Sequence, residues 1–572
     1  MKLRALSFSL ASAAALAALT LLSPSSADAC GGTFCDAGPT VMPVDQTGES
    51  IVFWIDEGGD EPFTEAHIQI QYEGEAENFA WIIPVTEVPE VLVGNQALFN
   101  NLLNATVPVF TTNTRSIGDC SGGGSIGLCG DDAAFVDEIG ALSSGGFEDE
   151  GGWEEGEAPG PEILDRGFAG AFEYVTLTGD NIDEIIEWLD TNNYAQDEDA
   201  PPILQEYLDE GFVFVAVKLR SGADVDEIHP LAIRYPGTEP CIPIRLTRIA
   251  AIDDMAIRAF FLNDKRVAPS NWPHVVLNYS RFDWVNGPAF SYDALVGLAV
   301  DEAGGRAWVT EFAGTSAVVS TTNIYDPQWD PSAFEGVEPT AVTDILEAQD
   351  ILTCNGTECF FGHPQVEALL QTYLPAPDGV SEAAFWTNLE GYADQIDMDA
   401  WNQPPGFATS YTERISGPGS HALDMLDSSS GLTRLYTLIS PHEMIEDPLF
   451  HPVDGLGPVD NNIVATRVND CDGGPTFYEI PGGRIVAETE GGAMPQLEGN
   501  PAAERIETVP LMGPPQVETN NTPTIDKLLN EYNDGRKVGP QGGCTISRVN
   551  FEGALAIASI FGIALFSRRR RR

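Results

Sequence analysis

The stretch from His67 to Val91, HIQIQYEGEAENFAWIIPVTEVPEV, limits the fold more than any other part of the chain. Its first half alternates with period two, so Ile68, Ile70 and Tyr72 fall on one face of a strand. Glu73-Gly74-Glu75 turns the chain, and Phe79-Ala80-Trp81-Ile82-Ile83-Pro84 follows as a buried strand. The prolines set that strand at a sheet edge or at an exit from it. A hairpin is the economical reading. Neither half carries residues that break bonds.

The elements around this stretch mix strand and helix. Glu49–Asp56 reads as a strand closed by Glu57-Gly-Gly-Asp60. Ile182, Ile185, Ile186 and Leu189 recur at helical spacing behind Asp180 or Asn181 as N-cap. A second helix opens at Pro201-Pro202 and ends at Gly211. Phe212–Leu219 is a buried strand, and Ala232–Tyr235, Ile242–Ile249 and Met255–Phe261 read as further β segments. Trp308–Phe312, Leu432–Leu438 and Thr476–Glu488 are strand-like, whereas Thr340–Ala348, Val366–Tyr373 and a last segment around Ile525–Tyr532 are amphipathic helices. No fixed internal period marks a solenoid or propeller.

Both ends carry targeting patterns. Met1-Lys2-Leu3-Arg4, an apolar run over Ala11–Leu22 and an Ala-x-Ala site make a secretory leader, with cleavage expected after Ala29. The rival is a lipoprotein leader acylated at Cys30, which Asp28 fits poorly. At the other end Gly542-Gly543-Cys544 precedes an apolar run over Ala554–Phe566 and five terminal arginines. The apolar stretch, about 17 residues from Phe551, stands at the short limit for a bilayer span, and the arginines would hold that end in the cytoplasm. The layout resembles the MYXO-CTERM tails of myxobacterial surface proteins. That resemblance implies processing near Cys544, and a simple tail anchor is the alternative.

Charge narrows the partners. The 572 residues hold 28 Lys and Arg against 87 Asp and Glu, a net charge of −59. Trimming both ends removes eight basic and two acidic residues, leaving 20 against 85 and a net charge of −65. Such a field repels nucleic acid and anionic lipid surfaces. It suits cations, or a hydrated surface in a salty medium.

Several stretches together resemble a bacterial family, Domain of Unknown Function 2330. They are the opening Cys30-Gly-Gly-Thr-Phe-Cys35, the Gln71-Tyr-Glu-Gly74 turn and the Phe79–Pro84 strand. Glu187-Trp188-Leu189 through Asn193-Tyr194, then Tyr207 and Phe212–Lys218, resemble its helix–helix–strand unit, and Leu432–Thr437 with Ser440–Met444 and Asp447-Pro448 its late segment. The resemblance spans Cys30 to about Pro475 and implies no activity.

Nine cysteines are present. With Cys544 set aside in the tail, eight remain in an exported body, an even number that suits disulfides. Sequence proximity pairs Cys30 with Cys35, Cys120 with Cys129 and Cys354 with Cys359, leaving Cys241 with Cys471 by elimination. The Cys120–Cys129 glycine loop and the acidic run from Glu148 to Gly160 read as an exposed insertion. That loop is no phosphate loop, since no Gly-Lys-Ser/Thr follows.

Other chemistries find little support. No Cys-x-x-Cys is present for redox or zinc. Among seven histidines, His442-Glu443 starts like a zincin helix but lacks a histidine four residues on, and His451 lies beyond Pro448. The segment instead opens a helix at Ser440-Pro441, with Glu443 in its first turn. No Gly-x-Ser-x-Gly elbow occurs, and paired carboxylates mean nothing in so acidic a chain. Asn469–Gly474 could bind Ca²⁺ through Asp470 and Asp472, or it is an ordinary Asp-Gly turn.

The sequence therefore describes an α+β protein of mixed, largely antiparallel β-sheets with several amphipathic helices, stapled by disulfides. Residues 1–29 form the leader and 30–540 the body, as one large or two packed subdomains. An acidic Gly-rich insertion spans about 118–161, and 541–572 is a spacer, short hydrophobic helix and Arg-rich tail. The expected role is a non-catalytic envelope or interaction protein, with a surface partner and no cofactor. An extracellular hydrolase using carboxylates and a Ca²⁺-binding surface module are the alternatives.

Overall fold

The computed structural model describes residues 33–34, 48–59, 61–69, 80–118, 120, 161–192, 194, 199–220, 227–249, 251–536 and 538. The expectations on the leader, Cys30, Cys35, Cys129, the bulk of the insertion, the turn at Glu73–Glu75 and the tail from residue 539 lie outside them. The first strands are β1 (Thr33–Phe34), β2 (Gly48–Asp56), β3 (Phe63–Ile68), β4 (Ala80–Val85), β5 (Glu90–Val93) and β6 (Val109–Ile117). There follow β7 (Glu162–Ala169), β8 (Phe172–Thr178), β9 (Val213–Leu219), β10 (Leu231–Pro236), β11 (Met255–Leu262), β12 (Arg266–Pro269), β13 (His274–Leu277) and β14 (Val309–Thr315). The last are β15 (Leu352–Cys354), β16 (Cys359–Phe361), β17 (Gly431–Ile439), β18 (Phe450–Val453), β19 (Asn462–Asp470), β20 (Phe477–Ile480), β21 (Arg484–Ala487), β22 (Ala503–Thr508) and β23 (Gln516–Asn520). The class is α+β. β2–β11 and β6–β19 pair parallel, and the other ladders are antiparallel.

Two sheets form the centre. One has seven strands in the order β14-β17-β11-β2-β3-β10-β5, the other five in the order β1-β4-β9-β8-β7. Ile51, Phe53, Ala66, Ile257 and Phe261 of the first pack against Trp81, Ile83, Val85, Val215 and Val217 of the second. The outer face of the five-stranded sheet, through Ile82, Phe214 and Ala216, receives the helices Ile182–Thr191 and Ala200–Asp209. The outer face of the seven-stranded sheet receives the helices Gln96–Thr106 and Gly417–Ser428 on Val52, Phe260 and Leu432. Helix, sheet, sheet and helix therefore stack in four layers, each burying the face its periodicity makes apolar.

The expected hairpin does not form. β3 pairs with β2 and β10, whereas β4 pairs with β1 and β9, so the two halves of the opening stretch lie in different sheets. Each has an apolar face to offer, and facing one another across the core buries more of that surface than pairing edge to edge. The proline strand lies one place in from the edge, beside the two-residue β1. Beyond Ala80 and Trp81, β4 has no further partner on the β1 side among the described residues, and Pro84 sits there without an N–H to offer.

A second expectation also changes. Ile242–Ile249 is not a strand: it contains a short helix, Ile244–Thr247. The alternating Ile242, Ile244 and Leu246 mimic a strand, but Asp447 takes hydrogen bonds from both the backbone N and the Nε of Arg245, each at 3.0 Å, and holds the turn wound.

Disulfide pairing is corrected in part. Cys354 bonds to Cys359 across β15 and β16, as proximity implied. Cys120, however, bonds to Cys471, and Cys241 is a free thiol among the described residues. The cause is the β6–β19 ladder, whose register sets Ile117 level with Asp470 and carries both cysteines to the same sheet end. Among the described residues no helix is long and apolar enough to cross a membrane.

Candidate metal centre

β3 supplies the first two groups of the site. Phe63 to Ile68 alternates, with Ala66 and Ile68 facing the other sheet, so Glu65 and His67 point to the opposite, helix-covered face. Register supplies the next. Glu65 lies across from Trp54 on β2 and from Arg234 on β10, and His67 lies across from Val52 and Ala232. The strand pairing thus builds a row Trp54–Glu65–Arg234 on a buried face.

The last group comes from the helix Gly417–Ser428, which carries His421 onto this row. Two local features aim it. Pro418 has no N–H, and just ahead of it the chain widens into a π-turn, Thr412–Ser416, closed by a bond from Gly417 N to Thr412 O. Gly419 then lies so close to Ile324 that a Cβ would stand 2.3 Å from its carbonyl oxygen, and only glycine allows the helix to seat there.

The geometry is compact. His67 Nε2 lies 2.6 Å and His421 Nε2 2.5 Å from Glu65 Oε1. Arg234 grips the other oxygen, Oε2, through Nε at 2.8 Å and Nη2 at 2.6 Å. Glu90 sits 3.2 Å from Arg234 Nη1 and offsets its charge. The side chains of Glu65 and His67 are 0% and 1% exposed, and that of His421 is 26% exposed. The imidazole rings stack at 6.1 Å, and Trp54 meets the edge of His421. His421 is the solvent side of the site.

Burial pushes the Glu65 carboxyl upward, but hydrogen bonds from His421 and His67 and the field of both rings outweigh it and hold the group well below the usual carboxylate range. An ionised carboxylate only accepts, so each imidazole presents an N–H at Nε2 to Oε1. Among the described residues this is the group of three His, Cys, Asp or Glu side chains whose ligand atoms lie within 4.8 Å of one another. Two nitrogens and one oxygen form the donor set that zinc and its neighbours take, with one position left for water. Arg234 holds the carboxylate from behind, as ligating carboxylates are commonly held.

The residues singled out by spacing fall elsewhere. Asp470 ends β19, and its Oδ1 accepts from the N–H of Asp472 at 2.9 Å in a turn completed by Gly473 at φ 89°. Ser440 and Glu443 form a capping box on the short helix Pro441–Glu443, as the first-turn glutamate implied, and His442 is exposed there. His451 is buried and bonds to Val509 O. The signal that could have found the site was Glu65-x-His67, polar groups two apart on a strand with an apolar opposite face. Its third member is 356 residues away from Glu65, beyond the reach of any local pattern.

A family model described as an uncharacterized protein conserved in bacteria (DUF2330) matches residues 24–326. The match includes Glu65, His67 and Arg234 and stops before His421 and the late segment at Leu432–Pro448. No curated protein and no solved structure matches the chain.

Proposed function

The chain belongs to the DUF2330 family, and from that premise we propose that it is an exported envelope protein that holds a divalent transition-metal ion at Glu65, His67 and His421. One observation carries this reading: two imidazoles and a carboxylate from a strand and a distant helix converge on one point, with the second carboxylate oxygen tied by Arg234. The leader and tail patterns support the envelope half of the proposal, and the net charge of −59 favours drawing cations to the surface. Imidazole donors select zinc, nickel, copper or iron over Ca²⁺, which prefers oxygens.

A tetrahedral ion with donors at about 2.1 Å separates its ligand atoms by about 3.4 Å, so the present 2.5–2.6 Å contacts need to open by less than an ångström. Each Nε2 binds through its lone pair, so a neutral ring that carries its proton on Nε2 must move it to Nδ1 when the ion enters. The partly exposed edge of His421 leaves room for a water or an external ligand to complete the shell.

The test is calorimetric titration of chelator-stripped protein with ZnCl₂. One ion per chain, and at least tenfold weaker binding by His421→Ala and Glu65→Gln, is the expected result. Wild-type protein that takes up no zinc, nickel or copper, or His421→Ala protein that binds as wild type does, overturns the proposal.

A further inference from the structure

We propose that the slot between the two central sheets is a second binding site, for an elongate aliphatic molecule whose single uncharged polar end hydrogen-bonds to Glu49. The slot and the open solvent at its mouth together hold about 780 Å³ of atom-free space. It is walled by Ile51, Phe53 and Ile68 of one sheet and Trp81, Ile83 and Val85 of the other. It lies on the face opposite Glu65 and His67, so the two sites share β2 and β3 but no side chain.

Three features define the occupant. The first is length. Tyr235 is level with Thr64, and Thr64 with Ile55, so the wall from Glu49 to Tyr235 covers six residues of strand, about 20 Å. The second is polarity: the walls are aliphatic and aromatic, and the polar groups gather at the ends, with Glu49 at one and Glu239 and Cys241 at the other. Pockets with this composition bind apolar bodies and use a few polar groups to fix orientation.

The third is Glu49 itself. Its residue is 6% exposed, and its Oε2 has no hydrogen-bond partner among the described residues. A buried carboxyl with an unused oxygen is costly, and a ligand oxygen removes that cost. Burial pushes this carboxyl up to about 7, so near neutral pH a large share of it carries a proton it can donate. The complementary head is an acceptor such as an alcohol, ester or amide oxygen. A carboxylate head meets repulsion from the strongly acidic chain.

The experiment uses the full chain and two probes, dodecan-1-ol and 12-bromododecan-1-ol. Calorimetry with dodecan-1-ol is expected to show one saturable site, weakened about tenfold by Glu49→Leu, the size of one lost hydrogen bond. Glu49→Gln keeps a donor and is expected to bind within about threefold of wild type on the same reasoning. The bromine is expected to quench tryptophan emission, with the quenched component lost in Trp81→Phe. Glu49→Leu suits an apolar wall, and unchanged circular dichroism verifies its fold. Absence of saturable binding by wild type, equal binding by Glu49→Leu, or quenching that survives Trp81→Phe overturns the proposal. Dodecylamine binding more than tenfold tighter than dodecan-1-ol overturns the uncharged head.

Discussion

Arg234 donates a hydrogen bond from Nε to one oxygen of Glu65 and sets Nη2 2.6 Å from the same oxygen, so the other oxygen alone faces His67 and His421. The arginine sets the rotation of the carboxylate, and the carboxylate sets where the two rings meet. Replacing Arg234 by Met keeps the apolar stem but frees one buried oxygen. Because Arg234 is 31% exposed, solvent makes up part of the loss, and we expect a destabilisation of about 2 kcal/mol in thermal unfolding. Zinc affinity should fall tenfold or more, as happens when a supporting partner of a ligand is removed. Undiminished affinity in Arg234→Met would show that the carboxylate needs no such anchor.

Glu49 makes stability depend on pH in an unusual direction. Its folded-state carboxyl titrates near 7 rather than 4.5, so between those values the folded chain holds a proton the unfolded chain has released. Stability contributed by this group is full below about 4.5 and declines as pH rises through 7, by roughly 3 kcal/mol in all. Glu49→Gln should abolish that decline. The check is a set of urea unfolding curves from pH 4.5 to 8, in which the difference between variant and wild type must grow with pH.

Gly170 should tolerate no side chain. It has φ +59°, and a Cβ there would lie 2.2 Å from His229 Nε2. His229 cannot retreat: Nε2 accepts from Ala171 N at 3.0 Å, Nδ1 donates to Pro230 O at 2.9 Å, and the ring is buried. Gly170→Ala is expected to cost about 3 kcal/mol from strain and overpacking together. A melting temperature within a degree of wild type would refute this.

The Cys120–Cys471 bond closes a loop of 351 residues. Constraining so long a segment of the unfolded chain is worth about 6 kcal/mol on the chain-entropy account. Cys471→Ser should lower stability by an amount of that order, and peptide mapping without reduction should recover Cys120 joined to Cys471. A fragment joining Cys241 to Cys471 would contradict the sheet register that brings β6 and β19 together.

Much of the secondary structure was legible because it is local. The helix at Ile182–Thr191, with Asn181 accepting from Asp183 N as its cap, follows from spacing and one side chain. So do β9, β11 and β17, whose apolar runs are strands wherever they pack. Ile244–Thr247 has a strand-like local pattern but is helical, because its conformation depends on Asp447, two hundred residues on. The polar face of β3 is present in the sequence as Glu65-x-His67, but Ile68 and its apolar neighbours, which mark the core, give the stronger pattern.

What the sequence determined by itself is the α+β class, the net acidity and the family resemblance. All of these rest on composition or on residues a few positions apart. The tertiary structure alone decided which sheet each half of the His67–Val91 stretch joins, which cysteine meets Cys120, and that His421 meets Glu65 and His67. Those choices come from competition between whole surfaces for burial, and from registers fixed by strands far apart in the chain. A pattern read along one strand holds no information about which distant partner covers it.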